Sequence, residues 1–300
     1  PGSSVLVCST GIIGDLPNEA ILQRGIDMAS RRLNGADTDF QKCILTTDKV
    51  EKVSGVRLKF PGGKTAHIVG AAKGSGMIAP NMATMLGFIV TDLSVSPDVL
   101  RRELRGAAAE TFNCVSVDGD TSTNDTVLLL ANGSSGIRIG GGGSSASFKL
   151  FSEGLREVCR HLAWKLAEDG EGATKVIEVV VRGARVAASA KKAARAVAES
   201  LLVKTAIHGE DPNVGRVLAA LGRSGAREVR ADRVDVFFNG VRAVRNGVVD
   251  RESSALKLRA ALKQKVVKIE IDLRAGSAHG SFFSCDLSYE YVRINAEYHT

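Results

Sequence analysis

The stretch Gly74-Ser75-Gly76-Met77-Ile78-Ala79-Pro80-Asn81-Met82-Ala83-Thr84-Met85-Leu86 governs how the rest of the chain is read, and Lys73 stands just before it. Small residues, a proline and an asparagine interrupt an otherwise apolar run. After Thr84 the pattern turns strand-like, Leu86-Gly87-Phe88-Ile89-Val90-Thr91. A Gly-rich approach thus delivers one hydroxyl residue to the start of a buried strand. The plain reading is a turn feeding a core strand. The sharper reading makes Thr84 a nucleophile and the Ala83–Thr84 bond a site of self-cleavage. An internal threonine holds its hydroxyl proton tightly. Once the bond before it is cut, Thr84 gains a free α-amine with an ordinary pKa of about 7.7–8.0, suited to a general base at neutral pH. A threonine paired with its own amine is an activated nucleophile. The same hydroxyl can first attack the Ala83 carbonyl in an N-to-O acyl shift, followed by ester hydrolysis. Pro80 and the glycines suit the strained turn that such an attack needs.

Upstream, Val5 to Cys8 reads as a buried strand ending at Ser9-Thr10-Gly11, followed by an amphipathic helix opened by Pro17-Asn18 and stopped by Asn34-Gly35. Cys43 to Thr47 reads as a short strand. Val56 to Phe60 and Thr65 to Val69 flank Pro61-Gly62-Gly63 as a hairpin whose second arm leads into Lys73. Downstream, Ser96-Pro97 is an N-cap and first-turn pair, and Val127 to Leu130 is a buried strand. Gly140 to Ser147 is a low-complexity Gly/Ser connection. Helices follow near 155–166, 187–202 and from Asp211-Pro212, with His208-Gly209-Glu210-Asp211 at the N-cap of the last. Val234 to Phe238, Asn239-Gly240 and Val241 to Val244 form a hairpin with a type I′ signature. A helix at 252–264 and strands over Val266 to Leu273, Ser281 to Leu287 and Tyr291 to Asn295 complete the chain. Helices and strands interleave but hairpins are frequent, so the expected class is mixed α/β with largely antiparallel sheets and layered helices.

At 300 residues the chain can bury a sizeable core in one large domain or two smaller ones. Its net charge is +7 and its pI about 9.3. The basic residues are scattered among acids, as in Arg101-Arg102-Glu103-Leu104-Arg105, and aromatics make up only 5%. That composition argues against a nucleic-acid groove and for a solvated basic surface or a pocket for acidic substrates. No apolar run is long enough to cross a bilayer. The five cysteines stand singly in apolar contexts with no Cys-x-x-Cys pair, which reads as buried thiols in a reducing compartment. The opening Pro1-Gly2-Ser3-Ser4 passes at once into a strand-like run, so a segment upstream, with any targeting signal, is expected to be missing.

Other clusters carry less. Donors at Ser9-Thr10-Gly11 could form an oxyanion hole, each worth about 3–4 kcal/mol, or an ordinary turn. Asp118, Asp120 and Asp125 lack the spacing of a calcium loop and read as side-chain-capped turns beside an active site. The five histidines show no metal-ligand spacing. Gly140 to Gly143 lacks the lysine of a phosphate loop. Gly170-Glu171-Gly172 sets a carboxylate in a turn, either to bind an amine or as a polar connection.

Taken together, six segments resemble the ornithine acetyltransferase (glutamate N-acetyltransferase) family of arginine biosynthesis. They are Ser9-Thr10-Gly11-Ile12-Ile13-Gly14, Lys73 to Leu86, Val117 to Thr126, Asp169 to Lys175, Val203 to Asn213, and the ending Ile294-Asn295-Ala296-Glu297-Tyr298-His299-Thr300. The resemblance implies an N-terminal-nucleophile-like autoprocessing fold, cut between Ala83 and Thr84. Residues 1–83 would be an incomplete α chain and 84–300 a β chain of two lobes, joined by a flexible loop near 139–149, in an α2β2 heterotetramer. It implies a ping-pong reaction in which Thr84 takes acetyl from N-acetylornithine, releases ornithine and acetylates glutamate. Thr10 and Gly11 match the oxyanion hole. Lys73, Thr84, Glu171, Asn295 and Thr300 match substrate-binding positions. Lys73 suits a substrate carboxylate and Glu171 an ammonium. Reusing an acetyl group needs no cofactor or metal, although acetyl-CoA is a donor for some members. No nucleic acid or membrane is implied, and the compartment would be the cytoplasm or an organellar matrix, mitochondrial or plastid.

Three departures bear on the site. The family's chain begins well upstream. Lys49 stands where a family Thr contacts substrate, changing size and charge there. Val214 replaces a Trp after Asp211-Pro212-Asn213. Two rivals remain: an amidase or aminopeptidase with the same nucleophile, deacylated by water, and a truncated, catalytically silent homologue serving as a scaffold.

Overall fold

The computed structural model of the chain describes residues 5–32, 39–79, 85–141 and 145–297. In chain order the elements are α1 (Glu19–Ser30), α2 (Phe40–Cys43), β1 (Lys52–Lys59), β2 (Thr65–Lys73), β3 (Leu86–Thr91), β4 (Ser94–Val95), α3 (Pro97–Glu110), β5 (Thr126–Ala131), β6 (Arg138–Ile139), α4 (Ala146–Glu168) and β7 (Val176–Ala184). They continue as α5 (Ala187–Ala198), α6 (Leu201–His208), α7 (Val214–Gly222), β8 (Asp235–Phe238), β9 (Val241–Arg245), β10 (Val248–Val249), α8 (Ala255–Leu262), β11 (Val266–Asp272), β12 (Ala278–Cys285) and α9 (Tyr289–Glu297).

Beside a two-stranded parallel pair of β4 and β6, two larger sheets carry the molecule among the described residues. One has the order β1-β2-β3-β5, antiparallel except for the parallel β3–β5 pair. The other has the order β10-β9-β8-β11-β7-β12, antiparallel except for β11–β7. Mixed α/β architecture with largely antiparallel pairing is therefore what the chain adopts. The alternation in β2 sends Ala66, Ile68 and Ala72 inward. Against that face lies α4, whose Phe151, Leu155, Val158, Leu162 and Leu166 are wholly buried. Each such side chain contributes about 1.5–3 kcal/mol of burial. The far side of α4 meets the second sheet, where Trp164 packs edge-on against Phe283 of β12 at 5.4 Å. A second apolar core forms where α5 covers β7 and β12. Just past β12, the buried Asp286 accepts hydrogen bonds from the Thr174 hydroxyl (2.5 Å), from the Thr174 and Lys175 amides, and pairs with His208 Nδ1 (2.7 Å).

The β1/β2 hairpin and the β8/β9 turn form as the pattern requires, with positive φ at both Asn239 and Gly240. Ser96 and Pro97 open α3. Other expectations need correction. Residues 5–8 form no strand and are largely exposed. The helix after Asn18 forms, with Asn18 Oδ1 capping the Ile21 amide, but its apolar face is uncovered among the described residues. Phe40–Cys43 is helical, held by the edge contact of Phe40 on Phe88, and no strand runs from Cys43. The 187–202 helix is two helices. His208 closes the second of them and Asn213 caps α7. Tyr291 to Asn295 lies in helix α9, not a strand. Cys114, Cys159 and Cys285 are buried, whereas Cys8 is half-buried and Cys43 exposed. At the Gly/Ser connection, α4 already begins at Ala146.

Candidate active site

β2 ends at Lys73 and β3 begins at Leu86, and the antiparallel register sets these two residues opposite each other. The parallel β3–β5 register sets Leu86 opposite Thr126, so the residues just before them, Met85 and Asp125, also lie side by side. Met85 donates its amide to Asp125 Oδ1 (3.0 Å), and Thr126 donates its amide to the Met85 carbonyl (3.1 Å). Lys73, Met85 and Leu86 line a narrow cleft with Ser9, Thr10, Ser122 and Asn124. Asn124 donates to the Ser9 carbonyl (3.1 Å), which ties the Ser9-Thr10 segment to the loop before β5. Thr10 is thereby held among the lining residues of the cleft. Gly11 follows it in an open, exposed position.

The turn after Lys73 is clamped from several sides. Asp118 accepts the amides of Met77 (2.6 Å) and Ile78 (2.9 Å) and, in a local turn, that of Asp120. Burial pushes the Asp118 carboxyl up to about 6 against those hydrogen bonds and the nearby Lys204. Asp48 accepts the Gly74 amide (2.6 Å), and Thr47 and Ser75 share a hydrogen bond. Lys52, wholly buried, bridges Asp48 (2.6 Å) and Asp169 (2.5 Å), and Asp169 also accepts the amide of Lys49 (3.0 Å). Burial works to raise the Asp48 carboxyl, but Lys52 and the Gly74 amide hold it below its ordinary value.

Two residues beyond Asp169, Glu171 donates its amide to the Ser75 carbonyl (2.9 Å), and its carboxylate accepts from Asn295 Nδ2 (2.9 Å). The carboxylate lies so close over Gly76 that a Cβ there would meet it at 2.5 Å, so any larger residue would push the Glu171 carboxylate aside. Tyr291, on the same helix as Asn295, has its phenol pushed up by burial and by Asp118, Glu171 and Asp120. Lys73 is 2% exposed and donates to Thr46 Oγ1 (3.1 Å). Burial pulls its ammonium below the ordinary value, opposed by Asp48 and Asp125. Three residues of chain span at most about 11 Å, so Lys73 and the Glu171 carboxylate over Gly76 flank one short segment with opposite charges.

Of the residues expected at the site, Lys73 and Thr10 share the cleft, and Glu171 and Asn295 meet beside it. Lys49 is exposed, tied by its backbone to Asp169. Ala83, Thr84 and Thr300 lie outside the described residues. Asp48, Lys52 and Asp169 were not singled out from sequence as a cluster. A lysine alternating among strand residues gives no hint that the distant Asp169 joins the nearby Asp48 on it. Among the described residues no group of three His, Cys, Asp or Glu side chains is placed to hold a metal, and no helix is long and apolar enough to cross a membrane. A roomier hollow of about 420 Å³ lies elsewhere, between α4 and the second sheet, lined by Glu157, His161 and Trp164 among others. It holds none of these residues.

The sequence profile of the ArgJ family matches residues 1–300. The chain belongs to the ArgJ family. Among ArgJ-family relatives, the arginine biosynthesis bifunctional protein ArgJ of Geobacter sulfurreducens is 46% identical over 298 residues, covering 99% of this chain and 75% of its own. The glutamate N-acetyltransferase of Methanocaldococcus jannaschii is 44% identical over 307 residues, covering 99% of this chain and 75% of its own. The crystal structure of the arginine biosynthesis bifunctional protein from Bacillus halodurans matches with a TM-score of 0.67 and 38% identity, over 70% of this chain and 98% of that one.

Proposed function

We propose that this chain is an acetyltransferase of arginine biosynthesis. It takes acetyl from N-acetylornithine onto Thr84 and passes it to glutamate. The carrying observation is similarity over nearly the whole chain to proteins named glutamate N-acetyltransferase and bifunctional ArgJ. The chemistry of the site agrees. An α-amino-acid substrate carries a carboxylate for the ammonium of Lys73 and, in ornithine, an ammonium for the carboxylate of Glu171. Thr10 and Gly11 supply the donors that stabilise the oxyanion as Thr84 Oγ attacks the acetyl carbonyl. The Thr84 amine takes the hydroxyl proton and returns it to the leaving ornithine nitrogen. Glutamate then enters, and the same steps run in reverse.

The free Thr84 amine requires self-cleavage at Ala83–Thr84, with the two chains remaining together as α2β2. We place the reaction in a reducing compartment, either cytoplasm or an organellar matrix, with no cofactor beyond an optional acetyl-CoA donor.

Intact mass of the full-length protein under denaturing conditions should give two chains divided before Thr84; one uncut chain would sink the claim. Thr84→Ala should abolish transfer, and full retained activity would remove Thr84 as nucleophile. Labelled acetyl should move from N-acetylornithine to glutamate. Release only as acetate would mark the amidase instead, and no turnover of either kind the silent scaffold.

A further inference from the structure

Lys52 is a buried cation that the acetyl-transfer steps do not use. It is wholly buried in β1, paired with Ala72 of β2, the residue before Lys73. Its Nζ donates to Asp48 Oδ1 (2.6 Å) and to Asp169 Oδ2 (2.5 Å), whose side chains are 0% and 5% exposed. Stability alone is a weak reason for such a cluster, because apolar residues of similar volume often replace buried ion pairs without loss. What the two carboxylates reach is more informative. Asp48 Oδ1 also accepts the Gly74 amide (2.6 Å), and Asp48 Oδ2 accepts the Thr46 amide (3.1 Å). The Thr46 hydroxyl in turn accepts from Lys73 Nζ (3.1 Å). One arm of the cluster therefore ends on the Lys73 ammonium. Asp169 closes helix α4 and lies two residues before Glu171, whose carboxylate accepts from Asn295 Nδ2 (2.9 Å). The other arm therefore ends on the Glu171 carboxylate.

We propose that Lys52 is a positioning residue. By holding Asp48 and Asp169 together it sets the spacing between Lys73 and Glu171, and with it the side-chain length of the acetylated diamino acid that the site accepts. This rests on the reading of Lys73 and Glu171 as partners of the substrate carboxylate and ammonium. In an Nα-acetylated diamino acid those two charges stand at opposite ends, separated by the side chain. A fixed gap between their partners therefore selects one chain length, and a loose gap does not. Without Lys52, two buried carboxylates face each other with no cation between them, and their repulsion loosens the gap.

The test compares two acetyl donors to glutamate in the full-length enzyme: N-acetylornithine and Nα-acetyllysine, which is one methylene longer. One extra methylene typically costs about 10–200-fold in kcat/KM, and the wild-type enzyme should favour N-acetylornithine by a factor in that range. In Lys52→Met the preference should shrink by about tenfold, with the KM for N-acetylornithine raised and kcat changed less. A purely structural loss would lower the amount of active enzyme and leave KM and the preference as they were. That result overturns the proposal, as does a wild-type enzyme that takes both donors equally. If Lys52→Met fails to fold, the decision passes to Asp169→Asn. It keeps the volume, an acceptor for the Lys49 amide and the Lys52–Asp48 pair, and weakens only the arm to Glu171. The preference should shrink there too, and an unchanged preference overturns the proposal. Glu171→Gln tests the reading beneath it: an unaltered KM for N-acetylornithine removes Glu171 from substrate binding, and the proposal falls with it. A raised KM in Glu171→Gln beside an unchanged preference in Lys52→Met defeats the proposal alone.

Discussion

At the scale of single residues, the site is an arrangement of charges around Gly74 to Gly76. Glu171 is held from both ends, by its amide on Ser75 and by Asn295 on its carboxylate. Glu171→Gln preserves that scaffold and removes only the charge offered to a substrate ammonium. A hydrogen bond to a charged group is worth about 1.5–3 kcal/mol. The KM for N-acetylornithine should rise roughly 10- to 100-fold, with kcat changed less; steady-state kinetics yielding an unaltered KM would take Glu171 out of substrate binding. Asp286 gives a prediction for pH. Burial works to raise its carboxyl, but the Thr174 hydroxyl and amide, His208 and the Lys175 amide outweigh burial and hold it below the ordinary value. Its contribution to stability is therefore present above the unfolded carboxylate pKa of about 3.9 and lost as pH falls through the lower folded value. Asp286→Asn should lower the thermal midpoint at pH 7 and flatten its fall below about pH 4; parallel melting curves would contradict this. The sequence named Lys73, Glu171 and Asn295 through the family resemblance of their motifs; charge type suits Lys73 and Glu171 to that role, whereas Asn295 carries no local signal of its own. The sequence left Asp125 among several loop acids, since its partner Met85 is brought alongside only by a parallel strand pairing across some 40 residues of chain.

At the scale of elements, legibility followed how local the deciding contact is. The hairpin around Pro61-Gly62-Gly63 and the Asn239-Gly240 turn were readable because turn chemistry and alternation agree over a few residues. The sequence of helix α9 reads as a strand because Tyr291, Val292 and Ile294 favour strands locally. What supports the helix is Arg293, paired with Glu290 and Glu297 three and four residues away. Helix α4 was readable from its stripe of Leu155, Val158, Leu162 and Leu166. Leu162→Ala in that stripe should cost about 2–5 kcal/mol, read from urea midpoints at constant slope. Lys52 in β1 belongs to another class. Removing it leaves Asp48 and Asp169 buried and facing each other, so Lys52→Ala should cost about 3–5 kcal/mol. A loss under about 1 kcal/mol would mean that the two acids find water or protons without strain.

At the scale of the whole molecule, two sheets meet across α4, and two apolar cores lie on opposite faces of the second sheet. The single tryptophan, Trp164, sits at that junction against Phe283. Its fluorescence should report the parting of the layers, while far-UV circular dichroism reports the elements themselves. Since α4 packs on both sheets, the two transitions should coincide; an earlier fluorescence change would show that the layers separate before they melt. The pairing of β2 with β3 carries a last consequence. Residues Ile68 to Lys73 face Leu86 to Thr91 in the interior of a four-stranded sheet, so a cut before Thr84 assigns adjacent inner strands to different polypeptides. Made on a nascent chain, such a cut would leave two sticky apolar edges in solution, with nothing but diffusion to reunite them. Made after the ladder has closed, it costs the sheet nothing. With the proposed cut before Thr84, the order of events follows from the topology: the peptide bond would work as a tether during assembly and become dispensable once the sheet is complete.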